Sequence, residues 1–326
     1  MKRMYLEKTG TRMAAKGINK KADWMSNLPE VLKKQPLSSI TMPGTHDTGA
    51  FCLDCRDKPA PDAPDFVNAV SWIPGVKKVL ADWGITQSLN FQQQLEAGIR
   101  YFDLRVATYP DSRELYLVHT LYGPSVEDML SDVDAFLNEH PGEIVLLDFN
   151  HFYDMDVSDH EALLTRLLTV FGSKLCAADY PVSDMSLDRM ISQGKRVIVF
   201  YLSQVQVAVK TQVATRASIL SPWANTPDAG QCMEFLEDTF ACPPVADFVV
   251  CQGVLTPTVT TVLCNLCSSL HSLNLTLSPL LNQWLSSTPH HLSIVLADFV
   301  EETDFIDIVL ARNHRSRAGK PYQNIL

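Results

Sequence analysis

Two histidines of this 326-residue chain are placed where they could move protons. The first is His46 in the run MPGTHDT, where Pro43 and Gly44 predict a turn after a strand and Asp47 adds a carboxylate. The second is His119, which ends a later apolar run. A histidine alone is more often structural than catalytic, so the case for chemistry depends on the residues that accompany the pair.

Charged residues on an intervening strand accompany the two histidines. Asp103 and Arg105 are two residues apart, so both side chains are expected on the same face of a strand. They could form only a structural ion pair, because buried charges need partners. Together with two histidines, however, they suit in-line phosphoryl transfer. One imidazole takes a proton from the nucleophile, the other protonates the leaving oxygen, and the arginine neutralises charge on the phosphate.

Alternating strand and helix patterns are expected to position these residues. Short apolar and β-branched runs predict strands over Ser38–Met42, Arg100–Val106, Leu115–His119, Glu143–Asn150, Arg196–Leu202, Asp247–Val254 and Ser293–Val300. Helices are predicted between them, including an amphipathic one over Thr86–Ala97 and one with a capping box that starts at Ser158. The alternation favours a (β/α) barrel or a doubly wound sheet. The sequence contains neither G-x-G-x-x-G nor G-x-x-x-x-G-K-[ST], which disfavours nucleotide-binding sheets.

In a barrel, the active site lies at the carboxyl ends of the strands. Polar groups occupy many of the predicted ends, namely His46, Asp47, Asp103, Arg105, His119, Asp148, Asn150, Tyr201, Gln252 and Asp298. A purely structural barrel would more often place turn residues there, so this pattern favours an enzyme.

Composition excludes several classes of protein. The formal net charge of −10, with no basic stripe, disfavours nucleic acid as a partner. No apolar run approaches the ~18 residues of a transmembrane helix, and the N-terminus lacks the apolar core of a secretory signal, so a cytoplasmic location is expected. The eight cysteines are dispersed and are expected to be reduced thiols. The C-x-x-C pairs at Cys52 and Cys264 lie too far apart for a zinc finger, and no metal site is predicted.

Two segments leave alternatives open. Residues 1–22 form a basic arm ahead of a domain predicted over 23–326, with seven lysines and arginines against Glu7. The arm is either a disordered tail or an electrostatic tether to anionic lipid. The segment Asp57–Gly84 contains four prolines together with Trp72 and Trp83. It is either an insertion packed on the barrel rim or a loop that dips into a lipid surface.

Several motifs, taken in order, resemble one known family. They are PGTHDT, QSLNFQQQLEAGIRYFDLRV, LVHTLYG, EIVLLDFNHFYDM, SPWANT and IVLADFV, and they span Trp24 to about Asn313. This set is similar to the phosphatidylinositol-specific phospholipase C X-domain-containing proteins, the small eukaryotic relatives of bacterial phosphatidylinositol phospholipase C. The resemblance implies a single-domain, irregular (β/α)8-type TIM barrel.

The resemblance also implies roles for individual residues. His46 matches the base that deprotonates the inositol 2-hydroxyl, and His119 matches the acid that protonates the diacylglycerol oxygen. Arg105 matches the arginine that replaces the calcium ion of the large eukaryotic enzymes, so cleavage without calcium is expected. Three acids complete the implied set: Asp298 orients the base, Asp47 lies beside it, and Asp103 adjoins the phosphate. Because these acids remain, weak calcium binding is left open.

The substrate contacts are less determined. Bacterial relatives hold the inositol phosphate with basic residues at later strand ends, which this sequence lacks, and the candidates here are Asn150, Tyr201, Trp223 and Gln252. The expected partner is a phospholipid at a membrane surface, with a peripheral membrane location left open and no protein partner indicated. Two other functions remain. One is a glycerophosphodiester or sphingomyelin phosphodiesterase, although such enzymes generally bind magnesium and the cationic Arg105 would oppose magnesium binding. The other is a catalytically idle lipid-binding or scaffold barrel.

Overall fold

The computed structural model describes residues 21–314. Its strands are β1 (Met42–Thr45), β2 (Tyr101–Thr108), β3 (Leu115–His119), β4 (Leu121–Ser125), β5 (Val145–Tyr153), β6 (Val197–Tyr201), β7 (Ile219–Leu220), β8 (Phe248–Gly253) and β9 (Ile294–Ala297). Its helices are α1 (Glu30–Lys33), α2 (Asp65–Val70), α3 (Val76–Gly84), α4 (Phe91–Glu96), α5 (Val126–Glu139), α6 (Val157–Phe171), α7 (Leu187–Ser192), α8 (Lys210–Val213), α9 (Ala229–Ala241), α10 (Val259–Cys264), α11 (Leu270–Ser287) and α12 (Phe305–Arg312). Short 3-10 turns lie at Leu37–Ser39, Gly172–Lys174 and Val182–Asp184.

Parallel strands form the frame of the molecule in the order β6-β5-β2-β1-β9-β8-β7. Within residues 21–314 no strand pairing joins β6 to β7, although the amide of Thr215 donates to the carbonyl of Val199 at 2.9 Å near this seam. The topology is that of an irregular α/β barrel whose seam lies between β6 and β7.

Apolar side chains cover both faces of the barrel strands. Met42, Leu146 and Leu296 belong to one buried cluster, whereas Leu147 and Val295 belong to a second cluster with helices such as α5 and α6. Residues that alternate along a strand point to opposite faces, so a strand buried on both sides reads as a continuous apolar run. This explains why the later strands were predictable from the sequence.

The first predicted strand was misplaced. Residues 37–39 form a 3-10 turn, and β1 instead contains Pro43 and Gly44, which were predicted to turn the chain. Proline has no amide hydrogen to donate here, but its carbonyl still accepts a hydrogen bond from the amide of Arg100 at 2.9 Å. A glycine is required at position 44, since a Cβ atom there would lie 2.7 Å from Cδ1 of Tyr101.

Two helix starts also differ from the prediction. Helix α6 begins two residues earlier than expected, because Asp156 rather than Ser158 caps it and forms a capping box with Asp159. Helix α4 covers only Phe91–Glu96 and is capped by Asn90, which accepts a hydrogen bond from the amide of Gln93 at 2.9 Å. In both places a competing side chain satisfies the first free amides of the helix.

The strand that ends at His119 was expected to be a barrel strand, but it is part of a hairpin. β3 pairs antiparallel with the end of β2 and with β4, so His119 lies at the tip of a hairpin. The hairpin reaches the barrel because β2 continues beyond Arg105, after an irregularity in its register with β5 between Leu104 and Arg105. Sequence period alone does not distinguish a hairpin strand from a parallel one.

The opposite end of the barrel is closed by the start of the described chain. The guanidinium of Arg100 is fully buried and pairs with Glu143 at 2.8 Å, and it also donates to the carbonyl of Ala22. The amide of Ser26 donates to Glu143 at 2.9 Å. Lys21 pairs with Asp307 at 2.8 Å. Residues 1–20 of the predicted basic arm lie outside the described residues, so the division at residue 22 stays a prediction.

The remaining sequence predictions concern membrane segments, cysteines and the insertion after β1. No helix between residues 21 and 314 is long and apolar enough to cross a membrane. All eight cysteines are free thiols. The insertion folds into α2 and α3, with Trp72 79% exposed and Trp83 buried, so it has one packed side and one side that faces solvent.

Candidate active site

The carboxylate of Asp47 lies at the centre of the site. Its Oδ2 atom is 3.2 Å from Nε2 of His46 and 3.3 Å from Nε2 of His119. Its Oδ1 atom is 2.6 Å from Nε of Arg105. Asp47 follows β1 with φ of +40°, an uncommon conformation for a residue with a side chain, and its amide donates to Asp103 at 3.0 Å. The turn after β1 is therefore held in the shape that brings one carboxylate to two imidazoles and a guanidinium.

His46 is anchored through its other ring nitrogen. Nδ1 lies 2.8 Å from Oδ1 of Asp298, the residue that follows β9, which leaves Nε2 facing Asp47. Burial lowers the pKa of His46, but the charges of Asp47 and Asp298 outweigh this effect and raise it to about 9. The carbonyl of His46 accepts hydrogen bonds from Thr86 and Gln87, both at 3.0 Å. The backbone and the ring of this residue are both fixed.

His119 is anchored in a different way. Its Nδ1 donates to the carbonyl of Gly84 at 2.7 Å, because a carbonyl can only accept. Nε2 is thereby directed toward Asp47, and the ring centroid lies 6.1 Å from that of His46. The two rings thus present one nitrogen each to the same space.

Arg105 and Asp47 stabilise each other as ions. Burial raises the pKa of Asp47, but Arg105 and the two histidines outweigh it and lower this pKa to about 2. Burial lowers the pKa of Arg105, whereas Asp47 and Asp103 raise it above its usual value. Nη2 of Arg105 also lies 3.5 Å from Nε2 of His46. The site therefore contains a permanent cation beside the imidazole of His46.

Polar residues of β2 and β5 lie next to the central cluster. Nδ2 of Asn150 donates to Oδ1 of Asp103, and the hydroxyl of Tyr101 donates to Asp148 at 2.6 Å. Burial raises the pKa of Asp148 to about 7, although the hydrogen bond from Tyr101 opposes this rise. Of the predicted substrate contacts, Asn150 therefore lies beside the central cluster. His151, which the sequence analysis did not select, is exposed and bonded to Asn150 at 2.7 Å.

The other predicted substrate contacts lie farther around the barrel. Tyr201 is buried in the apolar core, and its hydroxyl lies 2.7 Å from Nδ1 of His160. Trp223 is 47% exposed and donates to Oγ1 of Thr256 at 2.9 Å. Gln252 donates to Oγ of Ser221 at 2.8 Å. The structure brings none of these three side chains into direct contact with the two histidines, and their role stays a prediction.

Sequence reasoning missed the residues that fix the two histidines from the insertion and from the segment after it. Asp62 accepts a hydrogen bond from the amide of Thr120, the residue after His119, at 2.7 Å. Gly84 and Gln87 act through their contacts with the histidines described above. The sequence around Asp62 resembles an ordinary proline-rich loop, so no local pattern could have indicated it.

Three side chains of the site also offer atoms that a cation could use. His46, Asp47 and Asp103 have ligand atoms within 4.8 Å of one another. Arg105 already lies against Asp47, and a fixed guanidinium repels a divalent cation. A guanidinium attracts phosphate oxygens, and each imidazole presents one nitrogen to the same space.

Comparisons with known proteins identify relatives of this chain. A family model described as PI-PLC X 1 matches residues 81–218. PI-PLC X domain-containing protein 2 from Mus musculus is 38% identical over 312 residues, covering 94% of this chain and 91% of that protein. PI-PLC X domain-containing protein 3 from Homo sapiens is 38% identical over 304 residues, covering 90% of this chain and 94% of that protein.

Solved structures share the fold. Phosphatidylinositol-specific phospholipase C from Listeria monocytogenes superposes with a TM-score of 0.63 and 18% identity, covering 90% of this chain and 99% of that chain. A variant of phosphatidylinositol-specific phospholipase C from Staphylococcus aureus gives a TM-score of 0.65 and 16% identity, covering 90% of this chain and 97% of that chain. The predicted irregular barrel is thereby confirmed.

Proposed function

The chain belongs to the family of PI-PLC X domain-containing proteins, and from this premise we propose that it cleaves phosphatidylinositol-type lipids. The reaction is an intramolecular phosphoryl transfer. The inositol 2-hydroxyl attacks phosphorus, the bond from phosphorus to the diacylglycerol oxygen breaks, and inositol 1,2-cyclic phosphate forms. Slow hydrolysis of the cyclic product by water can follow.

One observation carries the proposal: Asp47 lies within 3.3 Å of ring nitrogens of both His46 and His119. In the proposed reaction, Nε2 of His46 takes the proton of the 2-hydroxyl. Nε2 of His119, as an imidazolium, gives its proton to the leaving diacylglycerol oxygen. A general acid or base placed in this way typically contributes ~10²–10⁴ to a rate.

The charges of the site determine how the rate should depend on pH. With a pKa of about 9, His46 is mostly protonated in the free protein at neutral pH. It must lose that proton before it can act as a base, so kcat/KM should rise with pH until this histidine is neutral. Arg105 supplies the positive charge that offsets the additional negative charge on phosphorus oxygens in the transition state.

The surface around the strand ends supports a lipid substrate. Residues 248–297 contain no Asp, Glu, Lys or Arg, and they include the exposed helix α10 that follows β8. Leu263 and Leu266 are 61% and 51% exposed on or just after this helix, and Trp223 follows β7. Exposed apolar groups beside a polar site are typical of proteins that act at a membrane surface. A cytoplasmic, membrane-peripheral location completes the proposal.

Cleavage without calcium is part of the same proposal. Arg105 contacts the carboxylate that would otherwise be available to a metal ion, and a guanidinium can bond two phosphate oxygens at once. A cleavage rate that falls strongly in excess chelator and returns with calcium would contradict this part alone.

A phosphorus NMR time course on dispersed phosphatidylinositol, with chelator present, tests the function. We expect the cyclic phosphate to appear with the wild-type protein and to be nearly absent with His46→Ala or His119→Ala. Val31→Glu, on the exposed surface of α1, is a control expected to retain activity. A wild-type protein that binds vesicles but releases no phosphate product would favour a catalytically idle lipid-binding barrel. Turnover of only glycerophosphodiesters or sphingomyelin would favour that second enzyme class.

A further inference from the structure

We propose that Asp62 is a positioning residue for His119, which it holds in place through the turn at Thr120. The inference rests on the proposed function, because it assigns His119 the task of protonating the leaving group. Asp62 lies in the insertion between β1 and β2, outside every motif that identified the family.

The conformation of Thr120 is the first reason. Thr120 forms the tip of the β3–β4 hairpin and has φ of +61°, in the left-handed region. This region is strongly disfavoured for a β-branched residue, so the surrounding structure has to impose it. Since His119 immediately precedes this residue, relaxation of the turn would move the imidazole.

The insertion supplies that constraint through a pair of hydrogen bonds to one residue. The amide of Thr120 donates to Oδ2 of Asp62 at 2.7 Å, and the carbonyl of Thr120 accepts from the amide of Ala60 at 3.0 Å. Pro59 also forms an isolated bridge with Leu121. Both polar groups of the strained peptide are therefore satisfied by one short stretch of chain, and only one of these bonds uses a side chain.

The far end of the same insertion holds the ring itself. The carbonyl of Gly84 accepts the hydrogen bond from Nδ1 of His119 at 2.7 Å. A Cβ atom at Gly84 would lie 3.0 Å from Oγ1 of Thr120 and 3.1 Å from the carbonyl of His119, so the backbone packs directly against the turn. The hairpin tip is thus held from both ends of the insertion, and His119 keeps Nε2 toward the reacting atoms.

The hydrogen bond that Asp62 accepts and the charge that it carries can be tested by different substitutions. Oδ1 of Asp62 is buried and has no hydrogen-bond partner among the described residues. Burial raises the pKa of Asp62, while the positive charge of His119 opposes the rise. An asparagine can still accept the bond from Thr120, whereas an alanine cannot. Asp62→Asn should therefore preserve the position of His119, and Asp62→Ala should not.

The test compares two leaving groups. A short-chain phosphatidylinositol needs protonation of an alkoxide, whereas an inositol nitrophenyl phosphate releases a stable phenolate and needs little. We expect Asp62→Ala to lower kcat on the lipid by about tenfold to a hundredfold and on the nitrophenyl ester by less than about threefold, with KM little changed. Asp62→Asn should retain both activities. Asp82→Ala, in the same insertion but paired at the surface with Lys78, is the matched control.

Equal losses on both substrates, or no loss on the lipid, would overturn the inference. A second readout does not depend on turnover: the Nδ1–H resonance of His119 in nitrogen-15 NMR should persist in Asp62→Asn and broaden in Asp62→Ala. An unchanged resonance in a folded Asp62→Ala protein would also overturn it. A wild-type protein that cleaves neither substrate would instead contradict the proposed function, while the resonance still decides whether Asp62 positions the ring.

Discussion

Replacing Asp298 by asparagine isolates the effect of one buried charge on His46. The side chains have nearly the same shape, so Oδ1 of an asparagine could remain 2.8 Å from Nδ1 of the ring. The negative charge disappears, and with it part of the preference of His46 for its protonated form. The plateau rate should fall, and the pH dependence of kcat/KM should shift.

The magnitude follows from the pKa of His46. The rise from 6.5 to about 9 corresponds to roughly 3 kcal/mol of preference for the imidazolium, and Asp47 and Asp298 both contribute to it. An opposite charge in direct contact typically accounts for a shift of ~1–3 in pKa. We therefore expect the acid limb of the kcat/KM profile to move to lower pH by about one to two pH units, because His46 becomes a neutral base at a lower pH.

The plateau rate should nevertheless fall. Without the carboxylate, the imidazolium formed in the transition state is less stable, and an amide can favour the wrong ring tautomer. In the serine protease triad the equivalent change lowers kcat by about 10⁴. For this protein we expect a loss of about 10²–10⁴ in kcat, in a variant that still folds.

The assay is kcat/KM on monomeric short-chain phosphatidylinositol between pH 5 and 10, with Asp238→Asn, an exposed carboxylate of α9, as the control. An unchanged rate and limb would remove Asp298 from the site. A limb that moves to higher pH would refute the electrostatic reasoning itself, because loss of a negative charge cannot raise the pKa of a histidine.

Three further predictions concern the cation, the lipid surface and the basic arm. Arg105→Lys should lower kcat in chelator by about tenfold or more, because an ammonium cannot reproduce a two-point phosphate contact; normal turnover would exclude that contact. Leu263→Glu should weaken binding to phosphatidylinositol vesicles by about tenfold or more, since burying a leucine stabilises by roughly 1.5–3 kcal/mol; Val31→Glu is the control, and equal effects would argue against α10. Deletion of residues 1–21 should reduce partitioning to anionic vesicles at low salt without slowing turnover of monomeric substrate; identical partitioning would leave the arm a plain tail.

Much of the barrel could be predicted because its strands are buried on both faces. The run around Leu147 and the run around Val295 are continuously apolar for that reason, and polar residues follow them at the mouth. Prediction was wrong where tertiary contacts override local preference. Pro43 and Gly44 resemble a turn in the sequence, but the ring of Tyr101 needs the space that glycine leaves, and the pair lies within β1.

The candidate site divides in the same way. His46, Arg105 and Asp298 were predictable because each follows or lies in an apolar strand within a distinctive motif. Asp62 and Gly84 were not, because they contact the Thr120 amide and the His119 ring of a hairpin that is distant from the insertion in sequence. The pattern of a loop does not reveal which peptide group it will contact.

The position of β1 between β2 and β9 has a consequence for synthesis of the protein on the ribosome. His46 emerges early, whereas Asp298 is 252 residues farther along the chain, and β9 must exist before the two can meet. At ~5–20 residues per second, about 13–50 s separate these two events. Until then the edge of β1 that β9 will cover has no partner strand. A chain released before β9 is made would lack the contact between His46 and Asp298.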